Sequence, residues 1–498
     1  MMQNSNSIYW DFLALIAGVL FTLAFAPFDY ACLAVVGLTI LYASWQHITP
    51  NRALLRGYWF GLGAFGLGVS WVYISIHDYG HAGIASASLL TALFVGFWAL
   101  FPALTGWLSA KLKHPYSCVI TLPLLWTLID YFRGVMVLNG FPWLLGAYSQ
   151  LESPLAGYIP VIGAYGTGFL LALTASVIVF MIRAKNRRLL SAAVVAVIWI
   201  AGGLLQTVTW TEKAGEPIRV SLVQGSITQD KKWLPENRLN TLLLYKKLTE
   251  AHWDSDVIIW PETAIPAFLS EVYEPFLLPL SETAKQHNTD LIISVPIEGK
   301  AEGEIYNGVI TLGKDTGMYR KNHLLPFGEY LPWQPVSGFV LNALNINLGN
   351  FTPGGVEQPL LKAASYPFIT SICYEDAFGD AAISGLPDAA FLVNVTNDGW
   401  FGNSIEPHQH LQIARMRAIE TGRFLLRATN TGATAFVGPD GKIIKQAPLF
   451  KATVLTGSIT PMRGMTPYAR LGDKAVIDVL ALLLIGLIIY DRRGSFRR

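Results

Sequence analysis

Three side chains with complementary chemistry each stand at the end of a short apolar run. Cys373 lies in "FITSICYEDA" at 368 to 377, Glu262 in "DVIIWPETAIP" at 256 to 266, and Lys321 in "MYRKNHLLPFGEYLP" at 318 to 332. A thiol with an ordinary pKa of about 8.5 is only slightly ionised at neutral pH, so a nucleophilic cysteine needs activation. An ammonium group would stabilise the thiolate, and a carboxylate could take the proton as attack begins. These residue types indicate nucleophilic catalysis, although their spacing does not establish that they meet.

Other polar residues allow different interpretations, which the sequence leaves open. Cys373 could be a buried strand cysteine without a chemical role, and His323 could serve it as in a protease with a Cys and His pair. The segment "HQH" at 408 to 410, with Asp398 nearby, resembles a set of metal ligands. Its i, i+2 spacing on a helix directs the two histidines to different faces, so we predict no metal site.

A further loop, "NVTNDGWFGNS" at 394 to 404, combines turn-forming residues with two aromatic side chains, Trp400 and Phe401. It is either an ordinary loop that packs both rings inward or a rim that contacts substrate or lipid.

Strands that alternate with helices must position these groups. Between about 212 and 470, β-branched runs alternate with helical patterns such as those at 237 to 252 and 408 to 423. The strand-like runs lie at 218 to 227, 256 to 266, 290 to 297, 368 to 377 and 389 to 397. This alternation predicts a sheet covered by helices, with chemical groups at the points where strands end.

The composition of the chain indicates a membrane protein. Of its 498 residues, 52% are hydrophobic and 14% are charged, whereas an average soluble domain has about 25% charged residues. The formal net charge of +2 is too small to suggest a nucleic-acid partner. Two of the three cysteines, Cys32 and Cys118, lie in apolar stretches, so we expect both to be buried small hydrophobic residues.

Apolar runs long enough to cross a bilayer occur repeatedly, since about 20 helical residues span its hydrocarbon core. The predicted spans are 9–27, 30–46, 56–77, 83–110, 116–132, 157–182, 189–208 and 474–490. The N-terminus lacks the basic segment and cleavage site of a signal peptide, so we expect none to be removed. We therefore predict a membrane domain over 1–210, a soluble domain over 212–470, an eighth span over 474–490 and a basic tail over 491–498.

The basic residues predict the orientation of these spans, because short loops rich in Lys and Arg stay in the cytoplasm. Twelve of them follow spans two, four, six and eight, and the alternate loops contain only Arg133. The twelve are Arg52, Arg56, Lys111, Lys113, Arg183, Lys185, Arg187, Arg188, Arg492, Arg493, Arg497 and Arg498. This asymmetry predicts cytoplasmic termini and a soluble domain on the outer side; a miscounted span would invert both.

The outer loop at 133 to 156 contains the apolar and aromatic stretch "FPWLLGAYSQ". We interpret it as an interfacial anchor with Trp and Tyr at headgroup depth, or else as a loop that handles lipid.

The stretches "WPET", "YRKNHLLPFGEYLP" and "ICYEDAF" resemble the Glu, Lys and Cys motifs of the nitrilase superfamily. Together with the membrane spans on both sides and "LVQGSI" at the entry of the soluble domain, they resemble the apolipoprotein N-acyltransferase family, over essentially the whole chain. The resemblance implies an αββα sandwich carried on a polytopic helical membrane domain.

That resemblance also implies roles for individual residues. Glu262 is similar to the base of the family, Lys321 to its cationic stabiliser and Cys373 to its nucleophile, while Glu329 resembles a glutamate that supports the lysine. The supporting set would include Tyr374 and Glu375, and the substrate-binding set Trp233, Trp400 and Phe401.

The activity that the resemblance implies is transfer of an acyl chain from a phospholipid, usually phosphatidylethanolamine, to the α-amino group of a diacylglyceryl-cysteine at the N-terminus of an apolipoprotein. A thioester on the cysteine would carry the chain, without metal or cofactor. The implied protein is a monomer in the bacterial inner membrane, with its catalytic domain in the periplasm.

Two rival functions come from different classes. A membrane-anchored amidase or hydrolase of the nitrilase type would use the same residues with water as acceptor, but one anchor would suffice for it. A transporter or receptor would need charged groups along its spans, and these are scarce here: the first 210 residues contain only Asp11, Asp29, Asp78, Asp130 and Glu152 as acidic residues.

Overall fold

The computed structural model describes residues 8–112, 117–332 and 350–495. By its internal contacts the chain divides into two compact units. The first comprises Met1–Tyr73, Gly83–Thr209 and Arg470–Arg498, and the second comprises Ile74–Ala82 and Trp210–Ala469. The short segment Ile74–Ala82 therefore associates with the second unit, although the sequence analysis assigned it to the membrane domain.

The first unit is helical, and each of the eight predicted spans overlaps one of its described helices. The helices are Ile8–Thr22, Cys32–Ser44, Pro50–Gly68, Ile84–Lys111, Ser117–Tyr131, Ile159–Arg183, Arg188–Leu205 and Pro467–Ser495. By length and hydropathy, four helical stretches of the described residues could cross a membrane, or five if one bent pair forms a single span. The count of eight crossings therefore remains a prediction.

Close helix packing in the first unit depends on two glycines one turn apart. A Cβ atom at Gly57 would lie 2.3 Å from the carbonyl oxygen of Pro102, and one at Gly61 would lie 2.5 Å from the Cα of Ala99. Helices Pro50–Gly68 and Ile84–Lys111 can approach this closely only because both positions lack a side chain.

The third predicted span is not one continuous helix. Helix Pro50–Gly68 ends within it, and the following helical segment, Val72–Tyr79, is bent by 61° from the first. Hydropathy does not detect such a bend, because both parts of the segment are apolar.

The aromatic loop between 133 and 156 is buried, which corrects its interpretation as an interfacial anchor. Phe141, Trp143 and Tyr148 are all buried in the first unit. The Arg133 guanidinium, also buried, donates from Nη1 to the carbonyl oxygens of Phe141 and Trp143 at 2.8 Å each. Arg133 thus binds backbone carbonyls of its own loop, which explains the one basic residue on the predicted outer side.

The predicted burial of Cys32 is wrong, and other predictions fall on residues that the structure does not describe. Cys32 is exposed on its helix rather than buried, because its apolar neighbours in sequence do not decide which side of the helix packs inward. The burial of Cys118 and the positions of Lys113, Arg497 and Arg498 lie outside what the structure describes.

The second unit contains two six-stranded sheets and a two-stranded ribbon. One sheet has the order β13-β2-β3-β4-β5-β6, the other β12-β11-β10-β9-β8-β7, and β1 pairs with β14. The strands are β1 Glu212–Lys213, β2 Ile218–Gln224, β3 Val257–Ile259, β4 Asp290–Glu298, β5 Ile305–Leu312, β6 Gly317–Arg320, β7 Leu361–Ala363, β8 Tyr366–Ile372, β9 Phe391–Thr396, β10 Leu425–Thr429, β11 Ala435–Val437, β12 Ile443–Gln446, β13 Thr453–Ile459 and β14 Met462–Arg463.

Central strands of each sheet are parallel and their outer neighbours are antiparallel. In the first sheet β2 pairs with β3 and β3 with β4 in parallel, and in the second β8, β9 and β10 do the same. The ribbon of β1 and β14 joins the two ends of the soluble segment, with Glu212 opposite Arg463.

Alternation along the strands builds a sandwich. Val257 and Ile259 of β3 enter an apolar core shared with the other sheet, whereas Ile258 packs on the opposite side, against helices. The outer face of the second sheet packs against helix Glu406–Thr421 through side chains such as Leu411 and Ala414. These four layers confirm the predicted αββα fold.

The helices of the second unit connect its strands. They are the α-helices Gln229–Lys232, Pro235–Glu250, Leu269–Val272, Leu278–Gln286, Gly379–Ile383 and Glu406–Thr421, with shorter or wider turns at Ser75–Tyr79, Tyr273–Leu277, Cys373–Ala377 and Asp398–Phe401. The predicted helices at 237 to 252 and 408 to 423 correspond to the two longest of these α-helices, displaced by two residues.

Candidate active site

Glu262, Lys321 and Cys373 all follow the ends of strands. Lys321 comes directly after β6 and Cys373 directly after β8, while Glu262 lies three residues beyond β3. Strands β3 and β6 belong to one sheet and β8 to the other. The sandwich therefore brings together three groups that are far apart in sequence.

The backbone at Cys373 turns sharply as the strand ends. Its φ is +51°, in the left-handed region that a residue with a side chain seldom adopts. Such strain persists where the surroundings impose it and is frequent at functional sites. The Asn394 side chain donates from Nδ2 to the Cys373 carbonyl at 3.3 Å, which helps to hold the turn.

A chain of hydrogen bonds joins the two glutamates to the lysine. Asn307, on β5, donates from Nδ2 to Glu262 Oε1 at 2.7 Å and to Glu329 Oε1 at 3.2 Å. Glu329 Oε2 forms an ion pair with Lys321 Nζ at 2.7 Å and accepts the Leu325 N–H at 2.8 Å. Glu262, Asn307, Lys321 and Glu329 are all buried, so the structure brings the predicted base, cation and supporting glutamate into one cluster.

Charges in this cluster act on one another strongly because water is excluded. Burial would lower the pKa of Lys321, but Glu329, Cys373 and Glu262 outweigh it and raise that pKa, so the ammonium stays charged. Burial raises the pKa of Glu262, and Lys321 partly offsets this effect.

The charges of the other candidate groups act on the Cys373 thiol. Burial raises its pKa well above the ordinary value, Glu262 raises it further, and Lys321 lowers it in part. The ammonium does lower this pKa, as predicted from the residue types, but burial is the larger effect. The thiol is therefore protonated at rest, and its proton must move to a base as the sulfur attacks.

Glu375 connects the strand end at Lys321 with the turn at Cys373. Its carboxylate accepts hydrogen bonds from the Tyr319 hydroxyl at 3.0 Å and from the N–H groups of Asn322, His323 and Ile372 at 2.8 to 3.0 Å. It is a positioning residue for both loops.

His323 and Tyr374 pack together near this carboxylate. The His323 ring lies against Phe378, with centroids 3.6 Å apart, and the buried Tyr374 ring contacts the same Phe378 at 5.3 Å. Glu262, Lys321 and Asp398 are the main charged neighbours of the thiol, so these contacts favour the Glu, Lys and Cys arrangement over the Cys and His pair.

The three predicted substrate-binding residues follow buried residues of the site closely in sequence. Trp233 comes after Lys232, and Trp400 and Phe401 come after Asp398. Trp233 is exposed and directly follows a buried lysine, Lys232. Trp400 is also exposed, and its ring makes an edge contact with Tyr79 at 5.8 Å; Phe401 is half-buried. The exposed tryptophan favours the interpretation of this loop as a rim, and substrate contacts of all three remain predictions.

A second buried cluster lies behind the cysteine turn. His410 forms hydrogen bonds with Asp398 at 2.8 Å and Asp376 at 3.0 Å, and the Arg427 guanidinium forms ion pairs with the same two carboxylates at 3.3 and 2.8 Å. Burial and Arg427 lower the pKa of His410, but Asp376 and Asp398 outweigh them and raise it to about 10.

Candidate metal-ligand atoms of Asp398, Glu406 and His410 lie within 4.8 Å of one another. Burial and Asp398 raise the pKa of Glu406 well above its ordinary value, which favours the neutral form of this carboxyl. Two carboxylates then balance the charges of His410 and Arg427 without an ion. We interpret the cluster as structural, because Arg427 Nη1 also donates to Asn394 Oδ1 at 2.5 Å, and Asn394 holds the cysteine turn.

The cluster around Glu262 includes two residues that the sequence did not single out, Asn307 and Lys232. Asn307 lies within a strand, in the segment "IYNGVI". A polar residue in an otherwise apolar strand was the feature of the sequence that could have indicated its role. Lys232 is the second lysine of "QDKKW". It is buried, with Nζ 3.1 Å from the carbonyl oxygen of Glu262, but a pair of lysines in sequence is typical of a solvated surface.

Two family models match this chain. Residues 17–177 match the family model described as apolipoprotein N-acyltransferase N-terminal domain, and residues 219–467 match the carbon-nitrogen hydrolase model. Among solved structures, the chain is similar to Saccharomyces cerevisiae Nit3, described as a member of branch 10 of the nitrilase superfamily. That match has 18% identity over 50% of this chain and 93% of Nit3, with a TM-score of 0.38.

Relatives match along nearly the whole sequence. The apolipoprotein N-acyltransferase of Methylococcus capsulatus is 48% identical over 97% of this chain and 96% of its own length. That of Nitrosomonas europaea is 41% identical over 94% of this chain and 95% of its own length. With both family models matched and relatives this similar from end to end, the chain belongs to the apolipoprotein N-acyltransferase family.

Proposed function

We propose that the protein is an N-acyltransferase that moves a fatty acyl chain from a membrane phospholipid, usually phosphatidylethanolamine, to an apolipoprotein. The acceptor is the α-amino group of the N-terminal diacylglyceryl-cysteine, and the reaction is the last step of lipoprotein maturation. The names of the relatives support the acyl transfer and the lipoprotein acceptor. Neither nucleic acid, metal nor cofactor takes part in this chemistry, and one copy of the chain carries all of the proposed groups.

One observation carries the proposal: Cys373 stands in a strained turn at the end of a strand, and the charges of Glu262 and Lys321 act most strongly on its thiol. In the first half-reaction Glu262 takes the thiol proton and the sulfur attacks the ester carbonyl of the phospholipid. The Lys321 ammonium and a backbone N–H near Tyr374 stabilise the oxyanion. The C–O bond breaks, the leaving oxygen receives the proton from Glu262, and an acyl thioester remains on Cys373.

In the second half-reaction the α-amine of the apolipoprotein attacks the thioester carbonyl. The C–N bond forms as the C–S bond breaks, and Glu262 transfers a proton from nitrogen to the departing sulfur. Because the thioester is reactive, the amide forms without ATP, and the kinetics are ping-pong.

A membrane location gives the enzyme access to both substrates, because the donor is a phospholipid and the acceptor carries a diacylglyceryl group. Substrates that arrive from the bilayer keep water away from the thioester, which would otherwise hydrolyse. The charge pattern of the loops supports a place in the bacterial inner membrane, with the catalytic unit in the periplasm and both termini in the cytoplasm. The exposed rings of Trp233 and Trp400, together with Phe401, are suited to contact acyl chains.

Intact-mass spectrometry of the purified protein with phospholipid tests the assignment. We expect an acyl adduct on the wild-type chain, none on Cys373→Ala, and a normal adduct on the matched control Cys32→Ala, since Cys32 is exposed on a helix of the other unit. An adduct that persists in Cys373→Ala would refute the role of this sulfur.

The acceptor is tested by a chase of the adduct with a diacylglyceryl-cysteine peptide or with buffer alone. We expect the adduct to disappear much faster with the peptide, which becomes N-acylated. Equal loss in buffer, with release of free fatty acid, would instead favour the hydrolase.

A further inference from the structure

Lys232 is a second buried ammonium group beside the candidate nucleophile. Its side chain is 3% exposed, and Nζ donates to the carbonyl oxygen of Glu262 at 3.1 Å. Within the part of the chain that the structure describes, this carbonyl is its only hydrogen-bond acceptor, although an ammonium can donate three hydrogen bonds. Glu262 and Cys373 are the two groups whose charges act on it.

The loop that carries Lys232 is fixed from both sides. Asn430 donates to the carbonyl oxygen of Ile227 at 2.6 Å and accepts the N–H of the same residue at 3.0 Å. Asn397 donates to Gln229 Oε1 at 2.8 Å. Lys232 is therefore held in place by the fold, unlike a surface lysine that moves freely in water.

The two lysines of the site differ in how firmly they hold a proton. Lys321 forms an ion pair with Glu329, and its pKa is raised. Lys232 has no such ion pair among the described residues; burial, only partly offset by Glu262 and Cys373, lowers its pKa to about 8. Lys321 thus remains a cation, whereas Lys232 exchanges its proton near neutral pH.

The proposed second half-reaction has one more proton to remove than a hydrolysis. An α-amino group has an ordinary pKa of about 7.7 to 8.0, so much of the acceptor arrives as an ammonium that cannot attack. Formation of an amide from that ammonium releases two protons from nitrogen, and Glu262 accounts for one of them.

We propose that Lys232 is a further catalytic residue, the base that takes a proton from the α-ammonium group of the acceptor before this nitrogen attacks the thioester on Cys373. This inference rests on the proposed function. In the step, an N–H bond of the acceptor breaks and an N–H bond forms on neutral Lys232. The freed amine then forms the C–N bond, its second proton passes through Glu262 to the sulfur, and Lys232 releases its proton to water.

The test compares the second half-reaction in four forms of the full chain: wild type, Lys232→Gln, Lys232→Arg and Lys231→Gln. Glutamine can still donate to the Glu262 carbonyl but cannot act as a base, and arginine keeps the charge but does not release its proton. Lys231 is exposed and adjacent, so its variant is the matched control. Each acyl-enzyme is formed with phospholipid, freed of donor, and mixed with a diacylglyceryl-cysteine peptide at several pH values between about 6 and 9.

We expect Lys231→Gln to acquire the acyl adduct at the wild-type rate. The two Lys232 variants should also reach a full adduct before the chase begins, whatever their rate of acylation, which shows that they fold. At neutral pH, Lys232→Gln and Lys232→Arg should transfer the chain to the peptide at least about 100-fold more slowly than wild type, the usual effect of losing a general base. The loss should shrink as the pH rises and the peptide amine becomes neutral by itself. Hydroxylamine, which is already neutral at pH 7, should discharge all four acyl-enzymes at similar rates.

Three results would overturn the proposal. Normal transfer by Lys232→Arg would show that only the charge matters. An equal loss with hydroxylamine would show that the defect does not lie in removing a proton from the acceptor ammonium. Failure of Lys232→Gln to form the adduct would place its role before the acceptor binds. Absence of the adduct in the wild type would instead contradict the proposed function itself, and this inference with it.

Discussion

Burial disfavours the thiolate form of Cys373, so its neighbours must stabilise that charge if the sulfur is to react. Burial raises the pKa of the thiol and also that of Glu262, so the two groups compete for a proton in surroundings that disfavour either charge. Lys321 is held as a cation by Glu329. Its charge favours the thiolate of Cys373 and the carboxylate of Glu262 over their neutral forms. If Cys373 is the nucleophile, as proposed, its thiol would ionise only as the new bond forms, and a protonated thiol is less reactive toward other reagents.

Asn307 should determine the pH at which acylation begins. It donates to Glu262 at 2.7 Å and thereby favours the charged carboxylate, against the effect of burial. Asn307→Leu removes this donor, so the pKa of Glu262 should rise further. A hydrogen bond to a charged group contributes about 1.5 to 3 kcal/mol, which corresponds to about one to two pH units. The acidic limb of the acylation rate should therefore move to higher pH by that amount, with rates converging at high pH.

Acyl-adduct formation after rapid mixing, measured across pH, checks this shift. Asn240→Leu is the control, because Asn240 is exposed on helix Pro235–Glu250. Glu329 would keep its bonds to Lys321 and Leu325 in the Asn307 variant, so the cation should stay in place. An unchanged midpoint would mean that Glu262 does not control the acidic limb.

The sequence singled out the three candidate reacting groups but not the polar residues beside them. Glu262, Lys321 and Cys373 stand in distinctive segments at strand ends, and the fold brings them together. Asn307 and Lys232 were not predicted, because their burial depends on residues from distant parts of the chain that pack over them. Cys32 shows the same limit, since an apolar neighbourhood in sequence does not determine exposure.

At the scale of elements, one carboxylate ties together two strand ends from different sheets. Glu375 follows β8, yet it accepts hydrogen bonds from Tyr319 on β6 and from two N–H groups in the loop after β6. Its fourth donor is the N–H of Ile372, directly before Cys373. The Glu375 carboxylate thus links the backbone next to Lys321 with the backbone next to Cys373.

Glu375→Gln should disturb this alignment without changing side-chain size. An amide presents one acceptor oxygen where the carboxylate presents two, so some of the four donors lose their partner. Misplacement of reacting groups by about 1 Å can cost roughly 100-fold in rate, and we expect an acylation rate reduced by about that factor. Unpaired buried donors should also lower the free energy of unfolding by about 1 to 3 kcal/mol.

Tyr319→Phe provides the graded comparison, since it removes one donor and leaves the three N–H groups bound to the carboxylate. Its acylation rate should fall by less than about tenfold. Adduct formation and thermal unfolding of both variants provide the two measurements. A Glu375→Gln enzyme that acylates at the wild-type rate would refute the positioning role.

At the scale of the whole molecule, hydropathy predicted where helices lie but not how they continue or pack. Each predicted span overlaps a helix, yet the third is broken by a 61° bend. The loop at 133 to 156 was expected at the membrane surface but is buried, because Arg133 satisfies its backbone carbonyls. Segment Ile74–Ala82, part of the second unit, includes Tyr79, which contacts Trp400. Such contacts depend on chain geometry, which composition alone does not specify.

The orientation of the chain in the membrane is predicted from its basic loops, and labelling can measure it directly. The loop between helices Ile159–Arg183 and Arg188–Leu205 contains Lys185 and Arg187, and a short basic loop is retained in the cytoplasm. The turn between β4 and β5 carries the exposed Glu302, which we predict to lie in the periplasm. Single cysteines at Asn186 and Glu302, in a chain whose three native cysteines are alanine, report the two sides.

A membrane-impermeant maleimide applied to spheroplasts should label Glu302→Cys at once and Asn186→Cys only after detergent opens the membrane. Both positions are exposed on their loops, so a difference in labelling reflects the membrane and not burial. The experiment measures only how the chain inserts into the membrane. Replacement of Cys373 by alanine in this chain therefore does not affect the result. Labelling of Asn186→Cys in sealed spheroplasts would invert the orientation and put the catalytic unit in the cytoplasm, where an exported apolipoprotein could not reach it.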